Sequence, residues 1–272
     1  MLPYPEIDPV ALAVGPLKVH WYGLAYLAGL GFAWWLAARR AQKPWSALNR
    51  EQVDDLIFYS ALGVVLGGRL GYILFYGLGR LAEDPGWALR VWEGGMSFHG
   101  GMLGVIFANW LYARSLRVNF ADLLDFVAPL VPVGLGLGRL GNFIGQELWG
   151  RATSADFPLA MVFPRDPLAL PRHPSQLYQA ALEGLLLFLI LYFFSRQPRP
   201  RLAVGGVFML GYGCCRFLVE FVREPDPHLT NLAFGWMTRG QVLCLPMIAF
   251  GLYLLFNAYG AKRNIFGERA AV

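Results

Sequence analysis

The chain has 272 residues, of which 56% are hydrophobic and only 15% are charged. Soluble domains carry about 25% charged residues, so this chain has too little polar surface to cover a water-soluble fold. The 15% aromatic content excludes a disordered chain. The net charge of +5 comes from scattered Lys and Arg, which argues against a nucleic-acid-binding surface. Composition therefore predicts an integral membrane protein.

The cysteines offer neither a disulfide framework nor a metal site. Cys214, Cys215 and Cys244 all lie in apolar runs, and their spacing is not that of metal ligands. We therefore expect no metal and no cofactor. Residues 1–18 contain Glu6 and no basic leading segment, so a cleavable signal peptide is not expected.

Seven apolar segments are long enough to span a membrane as helices, which takes about 20 mostly apolar residues. They cover residues 19–38, 55–76, 96–113, 122–140, 176–195, 203–222 and 241–260. The fourth contains Pro129 and Pro132, so a bend or interruption is expected there. The sequence thus predicts an all-α integral membrane protein with about seven transmembrane helices, forming one membrane-embedded domain over residues 1–272.

Charge between the segments predicts the orientation. The connections after segments one, three, five and seven are rich in Lys and Arg, as cytoplasmic loops are, so the N-terminus is expected outside and the C-terminus inside. Two outer connections are longer than turns. Residues 77–95 mix Trp and Leu with charges, which is typical of an arm lying in the membrane interface. Residues 141–175 are polar and Pro-rich and indicate a small extracytoplasmic head.

Three arginines lie inside apolar segments, at Arg69, Arg139 and Arg216. A charged Arg at the centre of a bilayer costs about 2.5–3.5 kcal/mol on insertion scales, so such residues mark functional sites by default. The alternative is a structural ion pair with Glu183 or Glu220.

Four polar residues of the sixth segment share one helical face. They are Tyr212, Arg216, Glu220 and Arg223, separated by four, four and three residues. Alternating cations and an anion near the outer end of a helix suit a phosphate headgroup, with Glu220 orienting the guanidinium groups. The same pattern also fits a self-neutralised ladder that docks two helices.

Further candidate site residues lie at the outer ends of other segments. The run from residue 138 to 151 contains Arg139, Asn142, Glu147 and Gly150, with several glycines that permit close approach to a ligand. His99 stands among four glycines, and histidine is the side chain suited to proton transfer near neutral pH, although a structural role is open. Tyr22 follows an aromatic-belt position at the start of segment one.

The polar residues of the sixth segment and those at the ends of the other segments all fall in the outer half of the membrane in the predicted topology. A channel or carrier for a phosphorylated solute would spread polar residues through the whole depth of the membrane, whereas the inner halves of the segments are apolar. A non-enzymatic lipid-binding scaffold would explain the arginines but not the glycine-flanked His99. The pattern favours a site open to the outer leaflet.

The chain resembles the prolipoprotein diacylglyceryl transferase family over nearly its whole length. The segments that carry the resemblance are His20–Gly23, Gly67–Gly71, Gly94–Gly101, Arg139–Gly150, His173–Tyr178 and Tyr212–Asp226. One departure is Gly145, which stands where the family signature has Asn. A turn is expected to be kept there, because Asn and Gly both tolerate left-handed backbone angles, whereas a role for an Asn side chain is not.

The resemblance implies an enzyme of the bacterial inner membrane, with a periplasmic N-terminus and a cytoplasmic C-terminus. Such enzymes move the diacylglyceryl group of phosphatidylglycerol onto the lipobox cysteine of a prolipoprotein, forming a thioether and releasing glycerol phosphate. The implied partners are phosphatidylglycerol, prolipoprotein signal peptides and membrane lipid, with no nucleic acid.

The resemblance and the charge pattern together assign roles to the site residues. The catalytic set is His99 for thiol deprotonation and Arg139 with Arg216 for the phosphate. The remaining candidates bind or orient the substrate, and they are Tyr22, Asn142, Glu147, Gly150, Tyr212, Glu220 and Arg223. A site without a dedicated base also remains open, because arginines alone can lower the pKa of the substrate thiol.

Overall fold

A computed structural model describes residues 1–15, 17–225 and 235–260 of the chain. Helices cover every one of the apolar segments identified in the sequence. Within the described residues the α-helices are α1 (Trp21–Arg40), α2 (Arg50–Tyr72), α3 (Leu78–Glu83), α4 (Phe98–Ser115), α5 (Phe120–Val127), α6 (Val131–Ile144), α7 (Ser175–Gln179), α8 (Leu187–Phe194), α9 (Ala203–Val219) and α10 (Arg239–Gly260).

Several of these helices run on into one another, and four continuous stretches are long and apolar enough to cross a membrane. The four stretches are Arg50–Glu83, Phe120–Ile144, Ser175–Phe194 and Arg239–Gly260, and Ala203–Val219 is a shorter apolar helix. The protein is therefore a mostly helical membrane protein. The count of seven crossings remains a prediction.

The expectation of an all-α fold needs correction, because the described residues also form two small antiparallel sheets. Strand β1 (Val10–Val14) pairs with β2 (Leu17–His20), and β3 (Met161–Val162) pairs with β4 (Pro171–Arg172). Strands of two to five residues are much shorter than a membrane span. A search for long apolar runs therefore does not detect them.

The chain divides into two compact units, one formed by Met1–Leu36 with Val127–Val272 and one by Ala37–Phe126. In the second unit, α2 and α4 pack through glycines. A Cβ atom at Gly67 would lie 2.7 Å from the Cα of Gly104, and one at Gly63 would lie 3.0 Å from the Cβ of Ala108. Small residues at regular spacing let two helix backbones approach closely, as is common in membranes.

Arg69 belongs to this second unit and has a structural role there. Its guanidinium donates hydrogen bonds to the carbonyl oxygens of Trp87 at 2.5 Å, Ala88 at 3.0 Å and Gly94 at 2.6 Å. It also lies over the Trp87 ring, 4.4 Å from the centroid. The ion pair to Glu183 or Glu220 considered from the sequence is wrong for this residue. Arg69 instead holds the segment 77–95, whose buried Trp87 packs on the same helix.

In the first unit, glycines again bring helices together. The expected interruption of the fourth apolar segment is present, as a 3₁₀ turn at Ala128–Leu130 that includes a proline and leads into α6. Helix α6 packs on the π-helical segment Ala180–Leu186, where a Cβ at Gly136 would lie 3.0 Å from the Cα of Gly184. This contact brings the C-terminal part of α6 beside the polar residues of α7 and of the π-helical segment.

Residues 141–175, the head segment, have their own small core. Tyr4, Phe143, Met161 and Phe163 are buried there, and Trp149 packs against them. The Tyr4 hydroxyl donates to the carbonyl oxygen of Phe143 at 2.9 Å. The residues before β1 are therefore part of this core, a role that their sequence did not indicate.

Candidate functional site

The polar stripe of the sixth apolar segment forms a connected charge cluster. Arg216 lies 3.0 Å from a carboxylate oxygen of Glu220, and Arg223 lies 3.3 Å from the other. Glu220 is 3% exposed, so both ion pairs are shielded from water. One carboxylate therefore orients two guanidinium groups on the same side of α9 and its C-terminal turn.

Two further polar residues reach Arg216, one from the end of α7 and one from the π-helical segment that follows it. The Oε1 atom of Gln179 accepts a hydrogen bond from Arg216 at 3.2 Å, and a Glu183 oxygen lies 3.9 Å from the same guanidinium. Both Gln179 and Glu183 are fully buried. Both carboxylate oxygens of Glu183 lack a hydrogen-bond partner among the described residues. Among the described residues, Arg216 and Arg139 balance its charge.

Arg139 approaches this cluster from α6. Its charge interacts with those of Glu183, Arg216 and Arg223. Within the part of the chain that the structure describes, Arg139 forms no hydrogen bond and no ion pair within 4 Å, and its side chain is partly buried. Its guanidinium donors are therefore free to bind an anionic ligand.

Hydrogen bonds to Glu147 hold the loop after α6. The Nδ2 atom of Asn142 donates to Glu147 at 3.4 Å, and the Nε2 atom of buried Gln176 donates to the Glu147 carbonyl oxygen at 2.7 Å. The turn expected at Gly145 is present, although Gly145 itself has a φ of −70° and is not left-handed. Gln146, with φ of 55°, adopts that conformation instead. The side chain of Gln146 accepts a hydrogen bond from a backbone N–H of the head segment.

Gly150 is a point of close approach between backbones. Its N–H donates to the His173 carbonyl oxygen at 2.9 Å, and a Cβ atom there would lie 2.6 Å from the Val222 carbonyl oxygen. The next residue, Arg151, donates from its N–H to Val222 at 2.8 Å and from Nε to the Arg223 carbonyl oxygen at 3.0 Å. Hydrogen bonds thus connect the head segment to the backbone of Val222 and Arg223.

The predicted aromatic residues lie near these elements of the first unit. The Tyr22 ring packs on α6, where a Cβ at Gly141 would be 2.9 Å from Tyr22 Cδ2, and its hydroxyl lies 3.0 Å from that of Tyr26. Tyr212 stacks on Phe208 with ring centroids 6.0 Å apart.

His99 is the one predicted site residue that belongs to the second unit. It lies in the first turn of α4 with an exposed side chain, and its ring edge contacts Phe98 at 5.7 Å between centroids. Its imidazole forms no hydrogen bond to any residue that the structure describes. It therefore keeps both ring nitrogens available for proton transfer.

Sequence reasoning missed Gln179 and treated Glu183 only as an alternative ion-pair partner. Their signal was present in the sequence, because Gln176, Gln179 and Glu183 are polar residues spaced by three and four within an apolar run. That spacing places them on one face of a helix. Polar residues on a single face of a spanning helix usually point to a protein interior or a cavity.

Two titrating groups of the head segment have shifted pKa values. The Arg172 guanidinium, hydrogen-bonded to Asp166 at 2.6 Å, holds the pKa of that carboxyl below its ordinary value. Burial lowers the pKa of His173, whose Nδ1 lies 3.4 Å from the Tyr178 hydroxyl. The first shift marks a buried structural ion pair, and the second favours the neutral form of the imidazole.

The chain is similar to known proteins over nearly its whole length. The model of a family described as prolipoprotein diacylglyceryl transferase matches residues 9–257. A protein of Azotobacter vinelandii is 62% identical over 265 residues, which is 97% of this chain and 99% of the relative. A protein of Ectopseudomonas mendocina is 60% identical over 95% of this chain and 97% of the relative. One of Teredinibacter turnerae is 60% identical over 99% and 96%. All three relatives are named phosphatidylglycerol–prolipoprotein diacylglyceryl transferase.

Proposed function

This chain belongs to the prolipoprotein diacylglyceryl transferase family, and we propose that it transfers the diacylglyceryl group of phosphatidylglycerol to the lipobox cysteine of a prolipoprotein. The cysteine sulfur forms a bond to the glycerol carbon that carries the phosphate oxygen, and that carbon–oxygen bond breaks. Diacylglyceryl-cysteine and glycerol phosphate are the products. The reaction is the first step of lipoprotein maturation.

The position of Arg139 beside the charge cluster of Arg216, Glu220 and Arg223 is the observation that carries this proposal. Arg139 joins Arg216, Arg223 and two buried carboxylates there, and its own donors have no partner among the described residues, so they can bind a negatively charged ligand. The phosphodiester of phosphatidylglycerol is a monoanion, and it gains charge as the carbon–oxygen bond breaks. Preorganised donors stabilise such developing charge, and they act most strongly where water is excluded. Arg139 and Arg216 are assigned to the phosphate, with Arg223 beside them.

The carboxylates and the loop after α6 orient these arginines. Glu220 holds Arg216 and Arg223, while Glu147 accepts a hydrogen bond from Asn142, which lies about one turn after Arg139 in α6. Asn142 and Gly150 shape the pocket for the headgroup. Tyr22 and Tyr212 bind lipid or headgroup.

The thiol must lose a proton, because the thiolate is the nucleophile. We assign this step to His99, whose imidazole has no hydrogen-bond partner among the described residues and so suits a base. The proton then passes from the thiol to the imidazole and on to solvent. Without a base, the arginines would themselves have to favour the thiolate.

We also propose the orientation in the membrane. The protein crosses the bacterial inner membrane seven times, with a periplasmic N-terminus, a cytoplasmic C-terminus and a site open to the outer leaflet. The basic residues of the proposed cytoplasmic connections support this, and they include Arg39, Arg40, Lys43, Arg114, Arg117, Arg196, Arg199 and Arg201. Residues 77–95 then form the interfacial arm and residues 141–175 the periplasmic head of a single membrane domain.

The test is a reconstituted transfer assay. Purified protein in phosphatidylglycerol vesicles is incubated with a peptide that contains a lipobox cysteine, and the mass of the peptide is followed. We expect the mass to rise by one diacylglyceryl group, and Arg139→Gln to lower kcat/KM by about 10²–10³-fold, as the loss of one charge-stabilising donor does. Arg165→Gln, at an exposed arginine of the head segment, is the matched control.

Two outcomes would contradict the proposal. If the wild-type protein adds no mass to the peptide while still binding phosphatidylglycerol, a lipid-binding scaffold is the better account. If transfer occurs but Arg139→Gln and Arg165→Gln behave alike, the phosphate site lies elsewhere.

A further inference from the structure

The N-terminal turn of α10 is locked in place by its own polar residues. The N–H of Thr238 donates to Gln241 at 3.0 Å, and the N–H of Gln241 donates to the Thr238 hydroxyl at 3.1 Å. This reciprocal pair is a capping box, which satisfies free N–H groups at the start of a helix. Gln241 also donates from Nε2 to the Phe217 carbonyl oxygen of α9 at 3.4 Å. Thr238 and Gln241 are 3% and 1% exposed, so the turn has little room to move.

Gly240 lies within this turn and faces the carboxylate of Glu220. A Cβ atom at Gly240 would lie 2.6 Å from one carboxylate oxygen, 2.7 Å from the carboxyl carbon and 3.0 Å from the other oxygen. An ordinary contact begins at 3.4 Å, so the carboxylate would have to retreat by roughly 0.8 Å. The backbone of the capped turn cannot retreat in its place.

The carboxylate that would have to move is the one that orients the phosphate arginines. It holds Arg216 at 3.0 Å and Arg223 at 3.3 Å, distances that leave little slack before the ion pairs are lost. The end of a Glu side chain shifts at little cost to the fold. A methyl group at position 240 would therefore disturb the site much more than the stability of the protein.

We propose that Gly240 is a positioning residue, whose missing side chain leaves the room in which Glu220 holds Arg216 and Arg223 for the headgroup phosphate. This inference rests on the proposed transferase function for its effect on activity. Its steric basis, the contact between position 240 and Glu220, is independent of that function.

The experiment compares Gly240→Ala with Gly31→Ala. Gly31 is a helical glycine of α1, and a Cβ atom there would meet none of the described atoms within 4 Å, so it is a matched control. In the transfer assay we expect Gly240→Ala to lower kcat/KM at least about tenfold and Gly31→Ala to change it less than about twofold. Thermal unfolding midpoints in detergent should stay within about 2 °C of the wild type for both variants.

A structure of the Gly240→Ala protein provides a readout that does not depend on activity. We expect the Glu220 carboxylate to have moved away from position 240, changing its distances to Arg216 and Arg223, with the capping box of α10 intact. If wild-type protein shows no transfer, the proposed function fails, and this displacement still decides the steric part of the inference.

Three results would overturn the inference. They are wild-type activity in Gly240→Ala, a loss of activity accompanied by a drop in the unfolding midpoint well beyond that of Gly31→Ala, and an unmoved Glu220 in the variant structure. The second would assign Gly240 to helix packing alone.

Discussion

The buried ion pair between Arg172 and Asp166 allows a sharp prediction about the head segment. Arg172 donates to the two Asp166 oxygens at 2.6 and 3.3 Å, and the side chains are 7% and 1% exposed. Arg172 also donates to the Gly150 carbonyl oxygen at 3.3 Å. It therefore connects β4 to the loop that contains Asp166. It also connects β4 to Gly150, which lies against the residues that follow α9. The perturbation is Arg172→Ala.

The expected cost follows from what the substitution leaves behind. Removing one partner of a buried ion pair destabilises by about 3–5 kcal/mol, because the other charge remains buried and uncompensated. Asp166 keeps hydrogen bonds from the N–H groups of Leu168 at 3.2 Å and Leu170 at 3.3 Å. These bonds favour the lower end, about 3 kcal/mol. At about 1.4 kcal/mol per factor of ten, local opening of the head segment should become about 100-fold more frequent.

Hydrogen exchange in detergent measures this opening directly. Amides of β3 and β4, and of the loop between them, should exchange about 100-fold faster in Arg172→Ala, while those of α9 and α10 should change little. Arg165→Ala is the control, since the side chain of this exposed arginine makes one hydrogen bond among the described residues, to the Gly145 carbonyl oxygen at 3.1 Å. That bond is worth at most about 1 kcal/mol, or a fivefold change. An acceleration below tenfold in Arg172→Ala, or one equal to that of the control, would refute the reasoning.

The same pair predicts a dependence on pH. Because Arg172 lowers the pKa of Asp166 in the folded protein, the unfolded state binds more protons in the acidic range. The stabilisation is complete above the ordinary carboxyl value of about 3.9 and is lost as the pH falls through the lower folded value. Protection of β3 and β4 should therefore be constant from neutral pH to about pH 5 and decline below about pH 4. Asp166→Asn should remove that decline.

Three further substitutions test the site and the head segment. Arg216→Lys should lower kcat/KM about 100-fold, because a single ammonium group cannot contact Gln179 and Glu220 together as the planar guanidinium group does. An effect below tenfold would contradict this. His99→Gln should lower kcat, and full activity would show that His99 is not the base. Tyr4→Phe should destabilise the head segment by about 1–2 kcal/mol in the same hydrogen-exchange measurement, through loss of its buried hydroxyl bond.

The membrane class and the helical segments could be predicted from the sequence because hydropathy is a local property. Each apolar run must satisfy its own backbone hydrogen bonds in lipid, whatever its neighbours are, so it becomes helical. The interruption near Pro129 was predictable for the same reason, since a proline disrupts helix geometry within its own segment. The strands β1 to β4 depend on pairing between short segments and were missed.

The buried arginines show where local information ends. Arg69, Arg139 and Arg216 look alike in the sequence, as single cations in apolar runs. In the structure Arg69 bonds to the carbonyl oxygens of a nearby segment, Arg216 bonds to side chains of two helices, and Arg139 keeps its donors free within the described residues. The difference lies in which distant residues each one meets.

The sequence by itself determined that this chain folds in a membrane, which segments become helical and to which family its polar motifs point. These follow from the hydropathy of each run and from the spacing of residues on one helix. Only the tertiary structure decided which charges are paired, that Gln146 rather than Gly145 makes the left-handed turn, and that Gly240 must lack a side chain beside Glu220. Those properties depend on contacts between segments far apart in the chain, and such contacts arise only when the helices pack.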